Sequence, residues 1–389
     1  MQPKKENTMA GLYIHIPFCK SRCIYCGFYS TTHGELQQRY VEAVCKEMAR
    51  SKKIIENSEK STVNRDLSVE TIYLGGGTPS QLTDKQLHQL FDAIAHTYGL
   101  TDVKEVTIEC NPDDITEEYA AIISQLPINR VSMGVQTFSN ERLRFLHRRH
   151  TAEQIPLAVE RLHKAGIRNI SIDLMYGFPD ETLADWHEDI RKSLELGVEH
   201  LSAYCLMYEE GTALYRLWEK EDVKELDEEL ERQMYATLID QLTAAGYEHY
   251  EISNFARPGY RSRHNSSYWN QTPYIGLGAA AHSYNGNDQR RWNVSDVKTY
   301  IEGIEKGKPA FNYETLDEDT RYNDLVMTAL RTCEGLDLRM LTDRQKEYCL
   351  QQAKRFVDDG LLQTVDNHLV LTRKGLFVSN MVMSELMKV

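Results

Sequence analysis

No apolar run in this chain is long enough to cross a bilayer. The unbroken hydrophobic stretches last only a few residues, which excludes a transmembrane helix. The opening residues MQPKKENTM are polar and lack the apolar stretch of a secretory signal, so a cytoplasmic location is expected. Bases are in the minority. The 45 Lys and Arg against 58 Asp and Glu give a formal net charge of −13. That balance argues against a general nucleic-acid or anionic-membrane binder. Cysteine is sparse, eight in 389 residues, too little for a disulfide scaffold. Low-complexity tracts and internal repeats are absent apart from a strand–helix rhythm. What the chain does have is 41% hydrophobic residues, enough for a large core and against intrinsic disorder. Its length suggests about two to three domains.

The first 210 residues alternate short β-branched or aromatic runs with amphipathic stretches. Strands are expected over Leu12–Ile16, Glu70–Leu74, Glu105–Cys110, Arg130–Val135, Asn169–Met175 and His200–Met207. Helices are expected over Glu35–Ile55, Asp84–His96, Glu117–Leu126, Ala152–Ala165 and Leu183–Glu195. The first presents Leu36, Tyr40, Val44 and Met48 on one face. This alternation implies α/β architecture with a parallel sheet and right-handed crossovers. Six such units fit either a partly open barrel or a doubly wound sheet, and periodicity does not choose between them.

Two strands run out into turns that side chains would obstruct, Gly75-Gly76-Gly77-Thr78-Pro79 and Tyr176-Gly177-Phe178-Pro179. Parallel α/β folds bind ligands at the carboxyl ends of their strands. Beyond Glu210 the rhythm weakens. The acid-rich stretch Glu219–Glu231 is expected as a solvated helix leading into Met234–Leu242, and His249 to Tyr284 is dense in aromatics, Gly and Asn. From about Arg321 the order is helix, helix, short hairpin, helix, which is winged-helix-like. The expected units are an N-terminal extension over 1–11 without fixed structure, a barrel over 12–210, a barrel extension over 211–310 and a smaller C-terminal domain over 311–389.

Cys19, Cys23 and Cys26 form a C-x3-C-x2-C array just after the first expected strand, which Pro17 ends. Three thiolates on one tight loop can hold three irons of a cubane cluster, leaving the fourth iron open to a small molecule. Zinc is the rival, with His15 or His33 completing the four ligands of a structural site.

The run Tyr13-Ile-His-Ile-Pro-Phe-Cys19-x3-Cys23-x-Tyr25-Cys26 resembles the radical S-adenosylmethionine (radical SAM) superfamily. The words Gly-Gly-Gly-Thr-Pro, Ser-Met-Gly-Val-Gln and Asp-Leu-Met-Tyr-Gly-Phe-Pro are similar to its oxygen-independent coproporphyrinogen III oxidase branch. The likeness runs from about Leu12 to the C-terminal region. It implies a partial (βα)6 barrel, a [4Fe–4S] cluster and SAM chelated to the open iron. By the same likeness Cys19, Cys23 and Cys26 hold the cluster, and Tyr13 and Tyr25 flank it. Gly76, Gly77 and Thr78 admit the methionine part of SAM, and Glu109, Gln136, Arg148 and Asp173 supply polar contacts to it.

Two departures set the chain apart from the decarboxylating oxidases. Those enzymes carry a further cysteine two places after the third cluster ligand, where this chain has Phe28 after Gly27. They also have a longer segment before the first strand. The word His264-Asn-Ser-Ser-Tyr-Trp269, in an Arg- and aromatic-rich stretch, resembles instead the HemW branch, the haem chaperones. That resemblance implies haem as a further cofactor, with His264 as its ligand and Trp269 against the macrocycle, on a loop lying across the cofactor-bearing mouth. The partners it implies are a haem-acceptor protein, with peripheral membrane contact through that acceptor, and an electron donor; no nucleic acid is expected. The alternative is an anaerobic coproporphyrinogen oxidase of porphyrin biosynthesis. A redox-sensing or zinc-binding structural protein is the third class.

Overall fold

The computed structural model describes residues 9–57 and 68–388. Six parallel strands, β1 (Met9–Ile16), β2 (Ser68–Gly76), β3 (Glu105–Cys110), β4 (Arg130–Gln136), β5 (Asn169–Tyr176) and β6 (His200–Cys205), lie side by side in sequence order. A doubly wound sheet needs a reversal of strand order, and there is none here. Right-handed crossovers without a reversal put every helix on one face and curl the sheet around the other. Residues of β2 to β6 accordingly line a single cavity. The architecture is the partial (βα)6 barrel.

The crossover helices are α1 (Gln37–Asn57), α2 (Asp84–Tyr98), α3 (Glu117–Ser124), the short α4 (Asn140–Phe145), α5 (Gln154–Lys164) and α6 (Leu183–Glu195). Their starts are written in the sequence. Thr83 and Thr182 accept from the third backbone N–H of α2 and α6, and the Gln86 and Asp185 side chains accept in return from the capping residues' own N–H groups. Tyr40, Val44 and Met48 are fully buried on the inner face of α1, while Leu36 is half-buried. The strands expected from sequence lie within one or two residues of those observed, with one correction at the start. Residues 9–11, expected without fixed structure, belong to β1 and pair with β2 and with a later strand. Residues 1–8 lie outside the described part.

The sheet extends beyond the barrel at both edges. Next to β6 come β8 (Asn254–Ala256) and β7 (Glu248–Glu251), antiparallel. Next to β1 come β9 (Tyr274–Leu277), parallel to it, then β10 (His282–Tyr284), β11 (Gln289–Asn293) and β12 (Phe311–Thr315). The acid-rich stretch is not one helix. Helix α7 (Ala213–Glu219) ends where the acids begin, and α8 (Glu228–Ala244) starts at the Asp227 N-cap. Closely spaced like charges favour the open turn between them, where each carboxylate keeps its water.

The H-N-x-x-Y-W word is also not a loop. It forms α9 (Arg263–Trp269), with Ser262 as N-cap accepting from the Asn265 N–H. Helix α10 (Val297–Glu305) packs on α1. The C-terminal part has α11 (Glu318–Ala329), β13 (Leu336–Asp337), α12 (Asp343–Asp358), the hairpin β14 (Leu362–Val365) and β15 (His368–Leu371), then α13 (Arg373–Leu376) and α14 (Ser379–Leu386). It has its own core around Tyr322, Val326, Phe356, Leu369 and Leu386. Arg331 ties this part to the barrel, donating from Nε (3.0 Å) and Nη2 (2.8 Å) to the buried Glu251 carboxylate.

Candidate functional site

The cysteine loop leaves β1 at Pro17 and is closed at its base by two backbone bonds, Cys19 N–H to Thr31 O (2.9 Å) and Thr31 N–H to Pro17 O (2.7 Å). Pro17 cannot donate to a ladder, so the strand stops there and its carbonyl is free for Thr31. Ile24 anchors the loop from beneath. Its side chain packs with Leu146, Met175, Phe178, Leu206 and Leu214, and its N–H donates to Leu146 O (3.3 Å). All three cysteines are free thiols. Donors approach two of the sulfurs: Thr78 Oγ1 lies 3.3 Å from Cys19 Sγ, and Arg148 Nη1 lies 3.6 Å from Cys23 Sγ. Burial pushes the Cys19 and Cys26 thiols up, so a metal or a local positive charge is needed to hold them as thiolates.

Among the described residues no three His, Cys, Asp or Glu side chains converge on one point that could hold a single ion. A single zinc ion needs that convergence. A cubane does not, because each thiolate takes its own iron. Three thiols on one loop, with donors aimed at two of their sulfurs, suit three irons of a cluster.

Behind the loop the barrel encloses a cavity of about 620 Å³. Of the residues expected to serve the cluster and SAM, the three cysteines, Tyr25, Gly76, Gly77, Thr78, Glu109, Gln136, Arg148 and Asp173 line it. Glu109 projects from β3, accepting from Tyr73 Oη (2.8 Å) and Gly76 N–H (3.0 Å). Arg148 spans the wall, donating from Nη2 to Asn111 Oδ1 (2.7 Å) and Gly134 O (2.5 Å). Burial raises the carboxyls of Glu109 and Asp173 to about 7 and about 6. Gln136 closes β4 with φ +69°, a left-handed conformation that turns the chain where β4 and β5 shift register.

The glycines do more than admit a ligand. A Cβ on Gly76 would lie 2.4 Å from the His15 ring, and one on Gly77 would lie 2.6 Å from the Pro17 carbonyl carbon. Their bareness lets the end of β2 press against the root of the cysteine loop.

Tyr13 does not flank the cavity. It lies one layer below, bonded to His15 Nδ1 (3.0 Å) and stacked on Tyr73, which does line the wall. The largest correction concerns α9. It sits at the opposite end of the barrel from the cysteine loop, because the Arg263 and His264 N–H groups donate to Glu105 (2.9 and 3.0 Å), the first residue of β3. His264 points up inside the barrel and is fully buried. Its Nδ1 bonds Thr71 Oγ1 (2.8 Å), its Nε2 bonds Tyr268 Oη (2.9 Å), and its ring stacks on Tyr73. Burial and the nearby Arg130 guanidinium pull its pKa down to about 3, so the ring is neutral. In this arrangement neither nitrogen is available to a metal. Trp269 faces away from the cavity and lies under the Arg331 guanidinium, 5.0 Å from it.

Sequence reading missed several liners. Arg130 opens β4 and is buried in the barrel, with Nε and Nη1 lacking hydrogen-bond partners among the described residues. An Arg at a strand start reads as surface, and no local signal marks it otherwise. Asn265 reaches the cavity from α9 below. At the open end Phe28, Met207 and Tyr204 are 71%, 62% and 43% exposed.

The Radical SAM superfamily profile matches residues 13–192, and the HemN C-terminal domain profile matches residues 316–378. The chain is 34% identical over 379 residues to heme chaperone HemW of Bacillus subtilis (strain 168), covering 96% of this chain and 97% of that one. It is 33% identical over 373 residues to heme chaperone HemW of Lactococcus lactis, covering 95% and 94%. Coproporphyrinogen III oxidase (HemN) from Escherichia coli shares the fold, with TM-score 0.82 at 23% identity over 98% of this chain and 91% of that one. By its cysteine loop, its barrel and this near-full-length similarity, the chain belongs to the radical SAM superfamily and, within it, to the HemW family.

Proposed function

We propose that this protein is a haem chaperone. It binds haem beside a [4Fe–4S] cluster and SAM and passes the haem to an acceptor protein. The observation that carries the reading is the similarity to heme chaperone HemW of Bacillus subtilis, which spans 97% of that relative's length. The site supports it in two ways. The position two after Cys26 is Phe28, a largely exposed ring, so the rim offers an apolar surface there and no further thiol. The open end also carries Met207 and Tyr204, which suit a flat apolar guest.

In this reading Cys19, Cys23 and Cys26 hold the cluster. When bound, the cluster with SAM on its open iron supplies one-electron chemistry. The chain's own residues orient and shield. Thr78 and Arg148 donate to the sulfurs, and such bonds tune a cluster's potential. Arg148, Glu109, Gln136 and Asp173 all line the cavity, which supports assigning Arg148 to the carboxylate of SAM and the other three to its polar groups.

The two raised carboxyls give this assignment a pH signature. Each is neutral below its raised pKa, and a cationic ligand favours the ionised form. SAM affinity is therefore expected to rise roughly three- to tenfold between about pH 5.5 and 7.5, with proton release on binding. Without ligand the sign reverses. The two acids favour the folded state below the ordinary carboxylate range, and that contribution is lost as pH climbs through about 6 to 7. Calorimetric titration in buffers of different ionisation enthalpy measures the proton release. A pH-independent affinity with no proton release would remove Glu109 and Asp173 from the SAM site.

The function is tested by haem titration of the anaerobically reconstituted protein beside a coproporphyrinogen oxidase assay. Stoichiometric haem uptake without turnover is expected. Decarboxylation of coproporphyrinogen without haem uptake would establish the oxidase instead.

A further inference from the structure

We propose that His147, on the rim of the barrel mouth, is the protein ligand that would hold haem iron. The assignment rests on the haem-chaperone reading above. The chain has thirteen histidines, and His147 is the only one among the residues lining the cavity. The buried histidines at positions 15, 150, 200 and 264 are committed to internal hydrogen bonds. His147 is exposed, and among the described residues its ring has no hydrogen-bond partner. An imidazole with an unengaged ring at a cavity mouth is what a haem iron requires of a protein ligand.

The backbone at this position is the second observation. Helix α4 ends in a paired motif, with His147 N–H donating to Arg144 O (3.0 Å) and Arg148 N–H to Leu143 O (2.8 Å). The residue between these two bonds must be left-handed, and His147 has φ +58°. Glycine fills such a position without strain, whereas a side chain with a Cβ is held there against its preference. Strain of this kind gathers at functional sites. Here it holds the His147 backbone beside the cysteine loop, because the preceding carbonyl, Leu146 O, accepts from Ile24 N–H (3.3 Å) and the following side chain, Arg148, donates to Cys23 Sγ (3.6 Å).

The surroundings fit the rest of the ligand. Phe28, Met207 and Tyr204 line the same cavity and are exposed, an apolar rim that a tetrapyrrole face would cover. Arg22 is an exposed cation on the same lining, with no ion pair to another side chain among the described residues, and suits a propionate carboxylate.

The test uses the full-length protein with its cluster reconstituted anaerobically, and haemin as the probe. His147→Gly suits it, since glycine accepts the left-handed backbone and the fold is kept; His147→Asn is a second variant that tolerates the same conformation. Both are expected to lose the histidine-ligated Soret and ferric-haem EPR signatures and to bind haem at least tenfold more weakly. Iron and sulfide content should be unchanged, and added imidazole should restore the spectrum. If the wild type binds one haem and both variants match it in spectrum and affinity, the ligand is not His147. His147 is equally excluded if His264→Ala abolishes the histidine-ligated spectrum while His147→Gly keeps it. A wild type that takes up no haem would overturn the haem-chaperone reading, and the ligand assignment with it.

Discussion

Serine in place of Cys19, Cys23 or Cys26 is expected to abolish the brown chromophore of the reconstituted protein, with iron falling at least severalfold from about four per chain. Each thiolate would carry its own iron. Cys110 and Cys205 also line the cavity, which makes them the demanding controls. Burial pushes the Cys205 thiol up to about 12, with the neighbouring Glu231 carboxylate adding to the shift. A thiol so held is a poor ligand until deprotonated at considerable cost. Serine at Cys45, Cys110, Cys205, Cys333 or Cys349 is therefore expected to leave the iron content intact. An iron content that depended on any of these five would mean a fourth protein ligand and no open iron for SAM.

Gly77→Ala is expected to destabilise the protein by about 3 kcal/mol and to prevent the cluster from assembling. The added methyl would lie 2.6 Å from the Pro17 carbonyl carbon, 2.8 Å from Ile16 O and 2.9 Å from Phe18 N. These are backbone atoms at the end of a central strand, so no side chain can swing aside. The carbonyl of Ile16 also accepts from the Gly77 N–H (2.8 Å), a bond that the methyl would pry apart. Gly34→Ala is the matching control, since a Cβ there meets nothing within 4 Å. Thermal unfolding with iron analysis reads both effects. A Gly77→Ala protein of wild-type stability and iron content would show that the turn has room to spare.

The barrel was legible in the sequence because its strands are short apolar runs bounded by turn residues, and because Thr83 and Thr182 mark helix starts by local chemistry. The candidate site was legible where a word in the sequence falls in the carboxyl half of a strand, as at Glu109, Gln136 and Asp173. It was not legible where burial comes from partners far along the chain. The stretch around His264 looks like an aromatic loop, yet Glu105, 159 residues earlier, accepts from its backbone and folds it into the barrel. Arg130 looks like a surface base and stands inside. His147 looks like one of several polar residues after a short helix; only the three-dimensional turn reveals that it occupies a glycine's conformation. The edge strands β7 to β12 escaped notice because all are only three to five residues long, too few to establish a period.

Helix α9 covers the strand-start end of the barrel, and Asn265 lines the cavity from that side. His264 and Glu105 bolt that helix to the starts of the strands, so a guest that enters at the open end passes the cysteine loop first. Order of loading then follows from depth alone. Whatever occupies the interior must be seated before anything settles on the rim, and the rim occupant must depart first. A guest held at the threshold can come and go while the deeper contents stay in place, and its presence blocks their escape. A carrier built on this plan can deliver its outer cargo without dismantling itself.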